Sequence, residues 1–283
     1  MMESCLTVNP EDVPDGMTSK QCVWDEFGRW SQAEIKGSPE TYMVSGFPFS
    51  KEPWAQAFTQ SINSLNGKSV LDVGCGLGYF SVYAAKAGAR VVAIDLQSEM
   101  LQAARMVAQI NGIECEFHRA NMSRLPFAND SFDIVVGMAI LHHLSKPDVV
   151  TALKEVHRVL SDGGRAVFME PVENSMTFNF LQNILPAGRK ESGYYRPSRL
   201  STKAWSRYLA EVEDRDMTNE ELFHAGAPFR DVRLRAFGLL NRLDRFIKSV
   251  RLMSLVNSLD HYLFKCFPCL KRFSRDVIVE YQK

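Results

Sequence analysis

Two periods alternate along the middle of the chain. From residue 68 onward, short runs rich in β-branched residues are followed by stretches in which apolar side chains return every three or four positions. That is the pattern of strands joined by crossover helices. The runs 70–73, 90–94 (with Asp95 at its end), 115–118, 132–136 and 165–169 predict strands, and 79–87, 98–109 and 149–160 predict helices. In the helix over 98–109, Met100, Leu101, Ala104, Val107 and Ala108 share a face, and Asn111 and Gly112 stop it. Ser161, Asp162, Gly163 and Gly164 predict a turn into the fifth strand. Such alternation builds an α/β, doubly wound, Rossmann-like parallel sheet with helices on its faces. Beyond Pro171 it breaks. Residues 174–228 read as helical pieces, in which Leu200, Trp205, Tyr208, Leu209 and Val212 share one face and Thr218 with Glu221 makes a capping box. Strand patterns resume at 232–237 and 276–281, with an amphipathic segment of about thirty residues between them. Residues 1–50 show no clear period but carry Trp24, Phe27, Trp30, Tyr42, Phe47 and Phe49.

Composition narrows the class. A chain of 283 residues that is 46% hydrophobic buries one generous core, so one domain with insertions is expected rather than two independent ones. Residues 1–50 read as a lid segment and 51–283 as the main domain, with helical insertions at about 172–228 and 239–272. The 33 basic residues balance 33 acidic ones, which argues against a nucleic-acid partner. The balance conceals an asymmetry, because residues 229–283 hold twelve basic against five acidic side chains, a net +7. Six cysteines do not make a disulfide framework in a chain of this length. Cys266 and Cys269 have the spacing of a metal or redox pair, but no second pair completes a zinc site, and no metal is expected. The acidic, proline-containing start is unlike a signal peptide, and the uncharged apolar run 134–141 is far below the ~20 residues that span a bilayer. A cytoplasmic protein is expected.

The candidate chemistry lies in LDVGCGLGYF, residues 71–80. Gly74, Gly76 and Gly78 separate an apolar strand from a helix, where a backbone without Cβ atoms turns sharply and brings N–H groups close to a ligand. Asp95, at the end of the next strand, is placed to accept hydrogen bonds from ribose hydroxyls. Together these predict an adenosine-containing ligand at the switch point of the sheet. The spacing G-x-G-x-G departs from the dinucleotide fingerprint G-x-G-x-x-G, and Asp72 beside the loop would repel a pyrophosphate yet suits an ammonium group. A nicotinamide oxidoreductase is therefore the weaker alternative. A further alternative is a protein that binds the cofactor without catalysis.

The motifs VLDVGCGLGYFS, VVAIDLQSEML, SRLPFANDSFDIVVGMAILHHLSKP and LKEVHRVLSDGGRAVF, in this order over residues 69–170, resemble those of class I S-adenosylmethionine-dependent methyltransferases. The resemblance is to the subgroup acting on small molecules and on lipid-like quinones or sterols. It implies a seven-stranded sheet with an antiparallel C-terminal strand and helical lid insertions, S-adenosyl-L-methionine as cofactor, and methyl transfer to a small or lipid-like acceptor. It also implies that Gly74, Cys75, Gly76 and Gly78 line the methionine end of the cofactor, that Asp72 meets its amino group and that Asp95 takes the ribose. Leu96 and Met122 would sandwich the adenine, and Asn121 stands where the family carries an aspartate for the adenine amino group. The transferred methyl would lie near the end of the fourth strand, at 137–141, with Met138 on the cofactor side. For a hydroxyl acceptor, His143 or its neighbour His142 is the available base, with His143 preferred. The alternative for both histidines is a packing or capping role.

Acceptor recognition must come from segments outside these motifs. Trp24, Trp30, Tyr42, Tyr194, Tyr195 and Trp205 are candidates to line an apolar pocket. Over 239–272, Leu239, Leu243, Phe246, Ile247, Val250 and Met253 follow a helical period while Arg242, Arg245, Lys248 and Arg251 recur every third residue. A basic amphipathic helix of this kind is a candidate peripheral membrane contact.

Overall fold

The order of the strands places the site. In the computed structural model, which describes residues 19–50, 52–172, 217–240 and 250–283, seven strands form one sheet: β1 Ser69–Val73, β2 Arg90–Asp95, β3 Glu116–Arg119, β4 Phe132–Met138, β5 Leu160–Pro171, β6 Asp231–Phe237 and β7 Asp276–Gln282. Their order is β3-β2-β1-β4-β5-β7-β6. β1 to β5 run parallel, and β7 is antiparallel to both its neighbours. The chain winds outward in opposite directions from β1 and β4, so a crevice opens where their carboxyl ends part.

Period-two alternation explains the layers. Along β1, Val70 packs with Phe58 and Ile62 of α2 (Ala55–Ile62) and Phe80 of α3 (Tyr79–Lys86). Leu71 and Val73 point the other way, into a core shared with Val149, Leu153 and Val156 of α5 (Lys146–Val159) and Leu222 of α6 (Asn219–Ala225). Asp72 must then lie on the α3 side. α4 (Ser98–Ile110) buries Leu101, Ala104, Val107 and Ala108 beside Val82 of α3, the face that its apolar spacing predicts. The Thr218 cap is also present, its hydroxyl accepting the Glu221 N–H at 3.1 Å.

Two expectations are corrected. Residues 161–164 do not form a separate turn: β5 already begins at Leu160, which pairs with Phe132, and pairing resumes at Ile134 with Arg165. The residues between bulge out of the ladder, with Gly163 at φ +74°. The second correction concerns the N-terminus, where no period is visible in the sequence. It holds a helix, α1 (Ser19–Gly37), whose buried positions among the described side chains are Gly28, Ser31 and Ile35. Two of the three are too small to register as a hydrophobic stripe. They are small because α1 lies directly on the start of α4: a Cβ at Gly28 would stand 2.7 Å from Glu99 Cβ and 2.9 Å from Met100 N. Gln32 Nε2 donates to Glu99 O and Oε2, both at 3.0 Å. The strap that follows is tied by Asn111, which receives the Val44 N–H at 2.8 Å and donates to Tyr42 O at 2.9 Å. Tyr194, Tyr195, Trp205, the face 200–212 and the basic positions Arg242, Arg245 and Lys248 lie outside the described residues.

Gly28→Val should force α1 away from α4. The expected loss is about 1–3 kcal/mol, the usual cost of overpacking, read as a lower thermal midpoint and new protease cleavage within 19–37. An unchanged midpoint would show that this contact does not hold α1 in place.

Candidate active site

Between the end of β1 and the start of α3 only five residues reverse the chain. Gly74, Gly76 and Gly78 adopt φ of +69°, +53° and +73°, which side chains with a Cβ rarely tolerate. Gly74 is constrained twice, since a Cβ there would also stand 2.5 Å from Ile140 Cδ1. The loop's amides are used differently from the expected donor-rich cradle. The N–H groups of Gly74 and Cys75 donate to Ile94 O at 2.9 and 3.0 Å, and that of Gly78 to Cys75 O at 2.9 Å. The Gly76 N–H donates to Asp95 Oδ2 at 3.1 Å. These bonds brace the loop against β2 and leave its open face at Gly76, where a Cβ would find only Met100 Cε within 4 Å, at 3.7 Å.

A cavity of about 230 Å³ opens above the loop, walled by Asp72, Gly74, Cys75, Gly76, Leu77 and Tyr79, with Phe27, Phe49, Phe80, Met100 and Met138 completing it. Of the site residues expected from sequence, it brings together Asp72, Gly74, Cys75, Gly76 and Met138. Gly78 lies behind the wall as the N-cap of α3. Asp95, Leu96, Asn121 and Met122 lie beyond it, toward β3. Leu96 is 46% exposed, while Met122 is buried in the core on the α5 side. Asn121 is exposed, and its Oδ1 already accepts the Ser123 N–H at 2.9 Å, an Asx turn that leaves that oxygen one lone pair.

The two aspartates differ in how they are satisfied. Asp72 is only 2% exposed and accepts a 2.6 Å hydrogen bond from the Ser81 hydroxyl. Burial nevertheless pushes its pKa up to about 7, with the Asp95 charge adding to the rise. A buried carboxylate so poorly compensated calls for a cation. Asp95 receives Gln97 N–H on Oδ1 at 2.9 Å and Gly76 N–H on Oδ2 at 3.1 Å. Burial raises its pKa, and the backbone donors oppose the rise. A carboxylate has about four lone-pair sites, so some acceptor capacity remains.

On the opposite wall, β4 ends in a turn that begins at Ala139, with φ +53°. Strain of this kind needs support from its surroundings. It is held by the 2.7 Å bond from Ala139 N–H to Met169 O and by Glu170, a carboxylate with no exposed surface. Glu170 Oε1 accepts from Ile140 and Leu141 N–H at 2.9 and 2.8 Å, and Oε2 faces His142 N at 3.4 Å and His142 Nδ1 at 2.9 Å. His143 packs edge-on against Trp24 of α1, with centroids 5.8 Å apart, and its ring lies 4.1 Å from that of His142. Trp30 stacks on Phe27, which reaches the cavity wall, and Tyr42 stacks on Tyr79. Sequence reasoning missed Ser81, Phe27, Phe49, Met100 and Glu170. A polar residue one turn into a buried helix and an acid ending the apolar strand were visible signals, but their partners were not. Among the described residues no His, Cys, Asp or Glu cluster has the makings of a metal site, and Cys266 and Cys269 are exposed free thiols.

A family model for a methyltransferase domain matches residues 70–164. The chain is 33% identical over 203 residues to a ubiquinone biosynthesis O-methyltransferase of Hahella chejuensis, spanning 69% of this chain and 81% of that protein. It is 32% identical over 153 residues to the enzyme of the same designation from Pseudomonas syringae, spanning 51% of this chain and 64% of that one. Among solved structures, an S-adenosylmethionine-dependent methyltransferase from Mesorhizobium loti shares the fold with a TM-score of 0.55 at 22% identity, covering 82% of this chain and 98% of that one.

The raised pKa of Asp72 sets a stability prediction. Its folded-state value lies above the unfolded 3.8, so its contribution is fully present below pH 3.8 and is lost as pH rises through about 7. Without a bound cation, Asp72→Asn, which keeps an oxygen for Ser81, should be more stable than wild type at pH 8 by on the order of a few kcal/mol, and the difference should shrink toward pH 4. Thermal unfolding at the two pH values decides it. A variant less stable at pH 8 would contradict the unmet burial cost.

Proposed function

The chain belongs to the class I S-adenosylmethionine-dependent methyltransferases, and from that premise we propose how its residues hold the cofactor and which acceptor they serve. It is an enzyme that transfers methyl from S-adenosyl-L-methionine to a small-molecule acceptor. When bound, the cofactor supplies a methyl carbon made electrophilic by an adjacent sulfonium.

The residues fit such a group. Asp72 is a buried carboxylate awaiting a cation, and it takes the amino group of the methionine moiety. Gly74, Cys75 and Gly76 let that moiety lie against the backbone, with Gly78 setting the start of α3 behind it. Asp95 uses its remaining acceptor capacity for the ribose hydroxyls. Leu96, at the exposed rim, and Met122 flank the adenine, and Asn121 accepts from its amino group through the remaining lone pair. Met138, at the end of β4, marks the side from which the methyl leaves. Residues 1–50 serve as a lid, since Trp24, Phe27 and Phe49 of that segment reach the His143 turn and the cavity wall. Position does most of the work in such a site, since orientation alone is worth effective molarities of about 10⁵–10⁸ M.

The acceptor is a phenolic hydroxyl on a ring carrying a lipid-like tail. The designation of the relatives as ubiquinone O-methyltransferases supports this reading, as do the aromatic lid residues beside the crevice. No helix among the described residues is long and apolar enough to cross a membrane. The segment 239–272 instead supplies a peripheral contact from the cytoplasmic side. Along its helix α7 (Val250–Cys266), Leu252, Leu255, Leu259 and Tyr262 recur every three or four residues and are 47%, 67%, 48% and 61% exposed. Lys265, Lys271 and Arg272 are exposed nearby, the complement of an anionic surface.

Asp72 carries this reading, because burial raises its pKa to about 7 and a cation in the cavity would favour its ionised form. S-adenosylhomocysteine, which keeps the amino group, should bind with release of a proton below pH 7, and its affinity should fall as pH drops through about 7. Calorimetry in buffers of different ionisation enthalpy reads both. Heat without proton release would remove Asp72 from the role. Labelled cofactor with a short-chain prenylated catechol tests the acceptor, which falls if no label is transferred. For the membrane contact, Leu255→Asp should abolish co-flotation with vesicles containing phosphatidylglycerol at low salt, and wild type that never floats would exclude it.

A further inference from the structure

We propose that Ser81 is a positioning residue for cofactor binding: its hydroxyl holds one oxygen of Asp72 so that the other is presented to the ammonium group of the methionine moiety. This rests on the reading above that Asp72 receives that group. Ser81 has no exposed surface, and a hydroxyl buried so completely needs a partner. Within a helix a serine hydroxyl commonly turns back to the carbonyl four residues earlier. Here it turns to the strand instead and donates to Asp72 Oδ2 at 2.6 Å, within the range of a hydrogen bond to an ionised acceptor. Asp72 lines the cavity, so with Oδ2 held on the helix side its Oδ1 is the oxygen left for a ligand.

The start of α3 explains why this task falls to Ser81. The N-cap is Gly78, which has no side chain to receive the first amides of the helix. Those amides form its positive pole, which favours a nearby carboxylate. Both the hydroxyl and the N–H of Ser81, the third residue of the helix, act on Asp72 and favour its ionised form. Burial and the charge of Asp95 act the other way. Cys75 and Cys115 are further titratable groups beside it, and both thiols are pushed up, by burial first and then by Asp72. Tyr79 adjoins at the cavity wall, its phenol pushed up by burial to about 12. None of these neighbours is a cation, so a ligand ammonium group meets no competitor among them.

One side chain thus has two effects. It fixes the plane of the carboxylate, and it partly offsets the burial that drives the acid toward its neutral form. Without the hydroxyl, Asp72 would keep its proton to higher pH and its oxygens would be free to turn. A ligand amine would then have to displace the proton and orient the group. A ligand that lacks the amine draws on neither effect.

Titration calorimetry at pH 7, with S-adenosylhomocysteine and with the analogue that carries hydrogen in place of its amino group, tests the assignment. Ser81→Ala should weaken binding of S-adenosylhomocysteine by about 10-fold, the scale of one hydrogen bond to a charged group, and leave binding of the analogue unchanged. In buffers of different ionisation enthalpy the wild type should release about half a proton, since Asp72 is half protonated near pH 7, and Ser81→Ala should release nearly one. Ser81→Cys, similar in size and a weaker donor, should fall between them on both readouts and carries the same test if Ser81→Ala does not fold. Equal weakening of both ligands would show a merely structural role and overturn the proposal, as would affinity and proton release that stay at the wild-type values. Asp72→Asn separates the two readings, since it should also weaken S-adenosylhomocysteine and spare the analogue. If it does so while the serine variants bind like wild type, the role of Ser81 falls alone. If Asp72→Asn binds both ligands like wild type, the role of Asp72 falls and that of Ser81 with it.

Discussion

A carboxylate taken out of water must find donors or a cation, and the crevice of this protein is organised around the incomplete way in which Asp72 does so. Period-two alternation turns Asp72 toward α3, where the chain supplies one hydroxyl, from Ser81. Hydrogen bonding from Ser81 is outweighed by burial, and the acid is held near pKa 7. Such a group weakens the free protein at neutral pH and strengthens the complex with a cationic ligand. The site therefore carries a cost in the free state that ligand binding removes.

The neighbouring acids show what full compensation looks like. Asp95 is braced by Gly76 and Gln97 and in turn braces the glycine loop, so it fixes the floor of the cavity while keeping acceptor capacity. Glu170 is more buried still, yet every direction around it is filled by an N–H. Three acids at the carboxyl ends of three strands thus have three fates: one is buried with too few donors, one braces the glycine loop and keeps acceptor capacity, and one is committed to the protein. The difference lies in the number of backbone donors that the local fold aims at each.

The loop and the turn after β4 depend on each other. Gly74 is at positive φ and must lack a Cβ for Ile140 to approach, and Ile140 is carried there by a turn strained at Ala139 and held by Glu170. The strand ends therefore close on one another from both sides of the switch point. α1 completes the enclosure, bringing Phe27 to the cavity and Trp24 to His143. Excluding water in this way favours transfer to the acceptor over hydrolysis.

By itself the sequence determined the main strands and helices of the sheet region, their succession along the chain, the glycine loop and the placing of Asp72 and Asp95 at strand ends. These follow from local rules: side-chain period, the φ that only glycine adopts freely, and the residues that end helices. Only the tertiary structure decided where surfaces meet. α1 was hidden because Gly28 and Ser31, two of its described buried positions, are small, and its seat on α4 is fixed by close approach at Gly28 and by the Gln32–Glu99 hydrogen bonds. The loop amides were expected to face a ligand and instead bind Ile94, Cys75 and Asp95, because the packing of β1 beside β2 brings those acceptors within reach. Glu170 meets amides 28–30 positions away in the chain because β4 and β5 are neighbours. A carboxylate's role is set by the donors around it, and those arrive only when the chain has folded.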